Sequence, residues 1–218
     1  GEVVKVISGK SWSAFVEENI MTPLGMNESA GTFKPLKNKK NVAAPHSDIK
    51  GKLTPLKAFD LGVGEAAGGI NASVNDLTKW VQMKLNNGRY ADTTLVSRKN
   101  HDFMWTPQTN QGFNPISTSR YQTHLNAYGL GWGIKDMKGH MVYSHTGGLP
   151  GMLSQVLLVP EMGLGIIVLT NTSDGGGALF TSVTNTILDS YLGLDDFGWT
   201  DKYAAYIKRN NQSTNKIV

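Results

Sequence analysis

The sequence predicts an α/β protein with an all-α lobe, in which a helical first half precedes an antiparallel sheet flanked by helices. Three observations predict it. Residues 73–88 carry the strongest helical period in the chain, with a capping signal at each end. Past Asn126 the period changes from helical to strand-like, in short β-rich runs separated by tight-turn signals. After the last of those runs an amphipathic stretch predicts one more helix, packed on the sheet. The expected division is a helical lobe over 1–126, a sheet with its packed C-terminal helix over 127–192, and a C-terminal extension over 193–218.

The elements follow in order. EVVKVIS opens the chain as an amphipathic helix with Val3, Val4 and Ile7 on one side, stopped by Ser8 and Gly9. Ser11 then caps a second helix whose stripe is Trp12, Phe15, Val16 and Ile20, and Pro23 ends it. From Asn27 to Asp60 the sequence is polar, holds three prolines and keeps no sustained period, so it predicts a long surface excursion that rims a cleft. Gly68 and Gly69 precede the next cap; a lone glycine pair predicts close backbone packing rather than a phosphate cradle. Ser73 is the N-cap, Asp76 stands at the third helical position, Leu77, Trp80, Val81 and Leu85 form the stripe, and Asn87 with Gly88 closes the helix. A short helix over Ser97–Met104 follows, then a loop to about Asn126.

YGLGWGIK, HMVYSH, MLSQVLLV and LGIIVLT predict three or four antiparallel strands joined at MKG, GGLPG and PEMG. The helix after them presents Leu179, Val183, Ile187, Leu188 and Tyr191 on one face. The extension holds a weak helix over Asp201–Arg209, followed by a polar end that is expected to fray.

Composition narrows the function. The 218 residues are 39% apolar, enough for a substantial core, and no run approaches the ~20 residues that cross a bilayer as a helix, so no membrane span is expected. The net charge of +4 comes from 21 basic residues spread against 17 acids. The one dense basic patch, Lys34 to Lys40, reads as a solvated loop, and no nucleic-acid partner is expected. With no cysteine there is no disulfide, thiolate metal site or Cys nucleophile, and the redox compartment stays open. The chain starts with Gly1 inside a helical period, without a cap before it, so it is expected to be one piece of a longer protein. The lack of a signal peptide then says nothing about destination.

Several chemical patterns compete. The five histidines, His46, His101, His124, His140 and His145, form no i, i+4 pair and no HExxH, so no metal and no cofactor are predicted. Asp195 and Asp196 sit in a turn, where capping explains them. Ser47-Asp48-Ile49-Lys50 matches S-x-x-K, but Pro45, Gly51 and Pro55 surround it, and the chemistry requires both residues on one face of a buried helix. Ser73-Val74-Asn75 matches S-x-N, yet Ser73 is already used as a cap, and there is no G-x-S-x-G elbow. SHTGG remains. A strand ending in His-Thr-Gly-Gly offers an imidazole, a hydroxyl and glycine N–H groups that a ligand can approach, the parts of an oxyanion-binding edge. A surface hairpin whose glycines only make the turn explains the same residues equally well.

The wider wording tips that balance. FVEENIMTPLGM (Phe15–Met26), AAGGINASVNDLTKW (Ala66–Trp80), YGLGW (Tyr128–Trp132), HTGGLPG (His145–Gly151) and LVPEMGLGIIVLTN (Leu158–Asn171) come in an order that resembles the serine beta-lactamase and penicillin-binding protein superfamily. The likeness is to its class C-like branch of beta-lactamases, esterases and D-aminopeptidases, and it covers roughly Gly1 to Leu192. The resemblance implies a beta-lactamase/transpeptidase-like fold whose N-terminal part is absent from this chain. That family builds its site from S-x-x-K, then Y-x-N or S-x-N, then K-T-G or H-x-G.

Only the third motif has a counterpart here, His145-Thr146-Gly147. By resemblance His145 orients or polarises the substrate, Thr146 and Gly147 bind it, and Gly148 supplies half of the oxyanion hole. Asn171 falls where the family often places a polar residue near the substrate carboxylate; a turn-capping role fits it as well. His145 stands where class C lactamases carry lysine, which ties the charge at that point to pH near neutrality and argues against beta-lactam hydrolysis.

The resemblance therefore implies the C-terminal portion of a serine hydrolase that cleaves an ester, amide or peptide bond through an acyl-enzyme, with its nucleophile upstream of Gly1. The implied partners are a small-molecule or peptide substrate and the missing N-terminal segment, and the implied location is bacterial periplasmic or secreted. The rival reading is a noncatalytic scaffold or binding module that keeps the cleft and has lost the chemistry.

Overall fold

The computed structural model describes residues 1–37 and 39–214, with side chains through Arg209. The polar C-terminal end and Asn38 of the lysine-rich loop lie outside the described residues. In chain order the elements are α1 (Glu2–Ser8), α2 (Trp12–Val16) continued by a π-helical turn (Glu17–Met21), β1 (His46–Ile49), β2 (Lys52–Pro55), α3 (Glu65–Gly68) and α4 (Val74–Leu85). Next come β3 (Arg89–Tyr90), β4 (Thr93–Thr94), α5 (Arg98–Met104), β5 (Thr109–Asn110), α6 (Pro115–Tyr121), β6 (Asn126–Tyr128) and β7 (Gly133–Met137). The rest is β8 (His140–Leu149), β9 (Met152–Val159), β10 (Leu164–Thr170), α7 (Gly176–Tyr191) and α8 (Trp199–Thr214).

The chain divides into two compact units, of which the first comprises Gly1–Ala43, Ala58–Thr146 and Val156–Ile167. The end of α1 and the starts of α2 and α4 fall where the caps predict. Gly9, at φ 71°, closes α1 by donating to the Lys5 carbonyl. Ser11 accepts from the N–H of Ala14 at 3.3 Å, and Ser73 from the N–H of Asp76 at 3.2 Å. Asp76 does more than occupy the first turn. It is buried, and its carboxylate accepts from the Glu28 N–H at 2.7 Å, the Ser29 hydroxyl at 2.8 Å and Lys79 at 2.9 Å. Burial alone would raise its pKa, but those donors together hold it below the ordinary range.

Two apolar clusters organise this unit. Val16, Met21, Leu24, Met26 and Met83 pack with Trp12 and Ile20, bringing α2 and the TPLGM turn against α4. Val81, Trp132 and Leu158 pack with Leu85, Trp105 and Tyr143, seating α4 on the sheet. The approach is so close that a Cβ at Gly165 of β10 would overlap Val81. The strands run in the order β10-β9-β8-β7-β6-β5, a meander whose β5 to β8 pairings are antiparallel. Short turns join β6 to β10 in succession, whereas α6 lies between β5 and β6.

The second unit comprises Ala44–Lys57, Gly147–Gln155 and Val168–Val218, and so holds the distal ends of β8, β9 and β10. Its β1–β2 hairpin turns through Lys50 and Gly51, at φ 56° and 79°, the two positive values that a type I′ turn needs. The buried Trp199 of α8 donates its indole N–H to the Asp189 carboxylate of α7 at 2.7 Å.

Several expectations change. The excursion over Asn27–Asp60 contains the β1–β2 hairpin, concealed because its four-residue strands are mostly exposed and carry no apolar alternation. The loop before Asn126 contains α6, nucleated by Asn114, which accepts from the Ser117 N–H at 2.7 Å, and by Pro115 at the first helical position. YGLGWGIK is two strand segments, not one, because Gly131 turns at φ 77° between β6 and β7. The GGL of GGLPG belongs to β8, which leaves Pro150 and Gly151 to make the turn.

The largest correction concerns amphipathic faces. In α7 the buried residues are Gly176, Ser182, Thr184, Leu188 and Asp189, whereas Leu179, Val183 and Tyr191 are exposed. Small residues let the helix backbone come close, as at Gly176, where a Cβ would stand 2.6 Å from Thr170 Oγ1 and 3.2 Å from Leu153. Periodicity identifies an apolar face and not the one that is covered. Likewise no residue of α1 is buried, and Val3, Val6 and Ile7 are exposed.

Candidate functional site

Strand β8 outruns its neighbour. The β7 ladder pairs Met137 with His140 at one end and Gly133 with Ser144 at the other, and β7 begins at Gly133. His145, Thr146, Gly147 and Gly148 continue β8 beyond that point, and all four are exposed. A strand continuing past its partner presents N–H and C=O groups along one edge, and those groups can hydrogen-bond an extended ligand or an oxyanion. The four residues stand consecutively on one extended segment, so side chains at 145 and 146 leave opposite faces while the glycines keep the edge open.

His145 has a partner from outside its own strand. Its Nε2 lies 2.8 Å from the hydroxyl of Tyr128, at the end of β6. Sequence reasoning recognised Tyr128 only as part of YGLGW and missed this role. No local signal marks it, because the contact depends on how β6, β7 and β8 are registered.

The two glycines differ. A Cβ at Gly147 would stand 2.5 Å from Ser154 Oγ on β9, whereas one at Gly148 would meet only Leu153 at an ordinary 3.5 Å. A side chain at Gly147 would have to displace the Ser154 hydroxyl; Gly148 is open to a ligand. Asn171, just past β10, donates its amide to the Ala44 carbonyl at 3.0 Å and lies 3.4 Å from His46 Nδ1. It ties down the segment leading into β1. That segment abuts Gly151 at the β8–β9 turn, where a Cβ would come within 2.6 Å of the His46 nitrogen.

Ser47 and Lys50 do not form a nucleophile–lysine pair on one helix face. Ser47 lies on β1 and donates to the Asp174 carboxylate at 2.7 Å, while Lys50 makes the hairpin turn. Among the described residues no three His, Cys, Asp or Glu side chains gather as a metal site, and no helix is long and apolar enough to cross a membrane.

Comparison with known proteins decides the family. A family model described as Beta-lactamase matches residues 1–182. The chain belongs to the beta-lactamase family. This family member is 25% identical over 224 residues to an unguisins hydrolase of Aspergillus violaceofuscus, covering 92% of this chain and 38% of that one. It is 26% identical over 199 residues to penicillin-binding protein 4 of Amycolatopsis lactamdurans, covering 89% of this chain and 50% of that one. The octameric penicillin-binding protein homologue of Pyrococcus abyssi shares the fold, with a TM-score of 0.69 at 24% identity over 89% of this chain and 41% of that one. The beta-lactamase/transpeptidase-like fold is thus established, and the chain spans half or less of the length of these relatives.

Proposed function

We propose that this chain is the C-terminal portion of a serine hydrolase that cleaves an ester, amide or peptide bond in a small molecule or peptide through an acyl-enzyme. The acylated serine belongs to an S-x-x-K segment upstream of Gly1. The observation that carries this reading is the open, exposed edge of β8 over His145–Gly148.

On this reading the edge is the third wall of the site. The Gly148 N–H stabilises the oxyanion that forms when the serine attacks, Thr146 and Gly147 align the substrate, and the His145 ring donates to or polarises it. Asn171 acts through the Ala44–His46 segment that it holds. Two further observations support an upstream segment. The S-x-x-K tetrapeptide at Ser47–Lys50 is spent on a hairpin, and α1 exposes Val3, Val6 and Ile7 at 70%, 82% and 81%, an apolar face of the kind that other chain covers.

The test uses the full-length protein with a nitrophenyl ester and a fluorophosphonate. Turnover and labelling are expected, with His145→Ala slowing turnover by about 10²-fold or more while circular dichroism is unchanged. A full-length protein that never labels and turns over no ester would instead be the noncatalytic scaffold.

A further inference from the structure

The Tyr128–His145 contact is built across an intervening strand. Neighbouring strands stand about 4.8 Å apart, so a side chain on β6 has to span two such spacings to reach β8. Tyr128 pairs with Gly133 on β7, and Gly133 pairs with Ser144 on β8, so Tyr128 stands one row short of His145, at the end where β7 stops. Beyond that row β7 has no further residues in the sheet. The phenol hydroxyl reaches 2.8 Å from His145 Nε2, with ring centres 6.1 Å apart and planes inclined by 57°, an in-line contact through the hydroxyl rather than a stacked one.

A neutral imidazole has one N–H donor and one bare acceptor nitrogen, and the partner of one nitrogen fixes the role of the other. A phenol O–H donates well and its oxygen accepts poorly, whereas a bare imidazole nitrogen accepts well. We propose that Tyr128 is a positioning residue: its hydroxyl donates to His145 Nε2, holds the ring in the Nδ1–H tautomer, and leaves Nδ1–H as the donor that β8 offers to a substrate. The substrate-facing half of this assignment rests on the acyl-transfer reading above; the tautomer does not. The family's lysine carries three donors and needs no such control. An imidazole in that place has a single neutral donor, and a partner that decides which nitrogen bears it becomes part of the site.

The test is two-bond 1H–15N correlation of the histidine rings in the full-length protein, at a pH where they are neutral, with His145→Gln identifying the His145 signals by their loss. The expected wild-type pattern has Nδ1 protonated and Nε2 bare. In Tyr128→Phe, which keeps the ring and removes only the hydroxyl, the pattern should move toward the Nε2–H form. A parallel assay should find kcat for an ester lowered roughly tenfold by Tyr128→Phe with KM little changed, the scale on which an outer hydrogen bond to a working histidine acts. An Nε2–H ring in the wild type, or a pattern unmoved by Tyr128→Phe, overturns the assignment. Absence of turnover in every form counts against the acyl-transfer reading instead, and the tautomer signals still decide the role of Tyr128.

Discussion

Lys84 holds its Nζ 4.9 Å from the ring centre of Trp105, inside the core of the first unit. The side chain is fully buried, Trp132 covers a second side at 5.4 Å, and the ammonium makes no hydrogen bond among the described residues. His101, itself buried, packs edge-on to Trp105 and bonds to the Lys84 carbonyl, and Tyr143 stacks on the same indole. Cation–π attraction offsets only part of the desolvation of a buried ammonium. Burial accordingly lowers the Lys84 pKa from 10.5 to about 8.

A methionine at this position fills the same space without a charge. Lys84→Met is therefore expected to stabilise the protein at pH 7 by about 1–4 kcal/mol. The sign with pH follows from proton counts. Between about 8 and 10.5 the unfolded chain holds the Lys84 proton and the folded chain does not, so wild-type stability rises with pH across that window. The gain is on the order of 3 kcal/mol, and below about 8 the contribution is constant. Urea unfolding of both proteins from pH 7 to 11 checks this: the advantage of the variant should shrink through the window.

Gly151 makes the β8–β9 turn at φ 76° with the Pro45–His46 backbone against it. Gly163 adopts a similar φ of 59° with nothing near. Alanine pays the left-handed penalty of roughly 1–2 kcal/mol at both, but at Gly151 its Cβ would also meet the His46 nitrogen at 2.6 Å. Gly151→Ala is expected to cost about 2 kcal/mol more than Gly163→Ala in thermal or urea unfolding.

Asp174 fastens the β1–β2 hairpin, accepting from the Ser47 hydroxyl at 2.7 Å and the Asp48 N–H at 2.5 Å. The Asp48 N–H, followed by the Ser47 hydroxyl, holds its carboxyl below the ordinary 3.8. The interaction is therefore in force above about 3.8 and is lost as pH falls through the lower folded value. Asp174→Ala should speed amide exchange in β1 and β2 several-fold while leaving α4 protected, as expected for a locally opening hairpin.

How much of this was legible follows from which interactions are local. Ser11, Ser73 and Gly9 act on backbone groups within four residues of themselves, and the sequence displays those caps directly. The period change past Asn126 likewise marks the strands, and HTGG marks the end of β8. Long-range choices left no such trace. Nothing in HSDIKGKLTP shows that Asp174 will clasp it, and nothing in YGLGW shows Tyr128 reaching His145. In α4 the predicted stripe of Leu77, Trp80, Val81 and Leu85 is adjoined by a fully buried Lys84, a residue type that pattern reading assigns to solvent. In α7 two candidate faces compete, and the backbone approach at Gly176 selects the less apolar one.

The central claim is that β8 supplies one wall of an acyl-transfer site whose serine lies outside these 218 residues. Fluorophosphonate labelling of the full-length protein, followed by digestion and mass mapping of the labelled peptide, tests it most directly. The account predicts one stoichiometric label, on the serine of an S-x-x-K tetrapeptide upstream of Gly1, with Ser47→Ala still fully labelled. A label on Ser47, or on any serine between Gly1 and Val218, would contradict it.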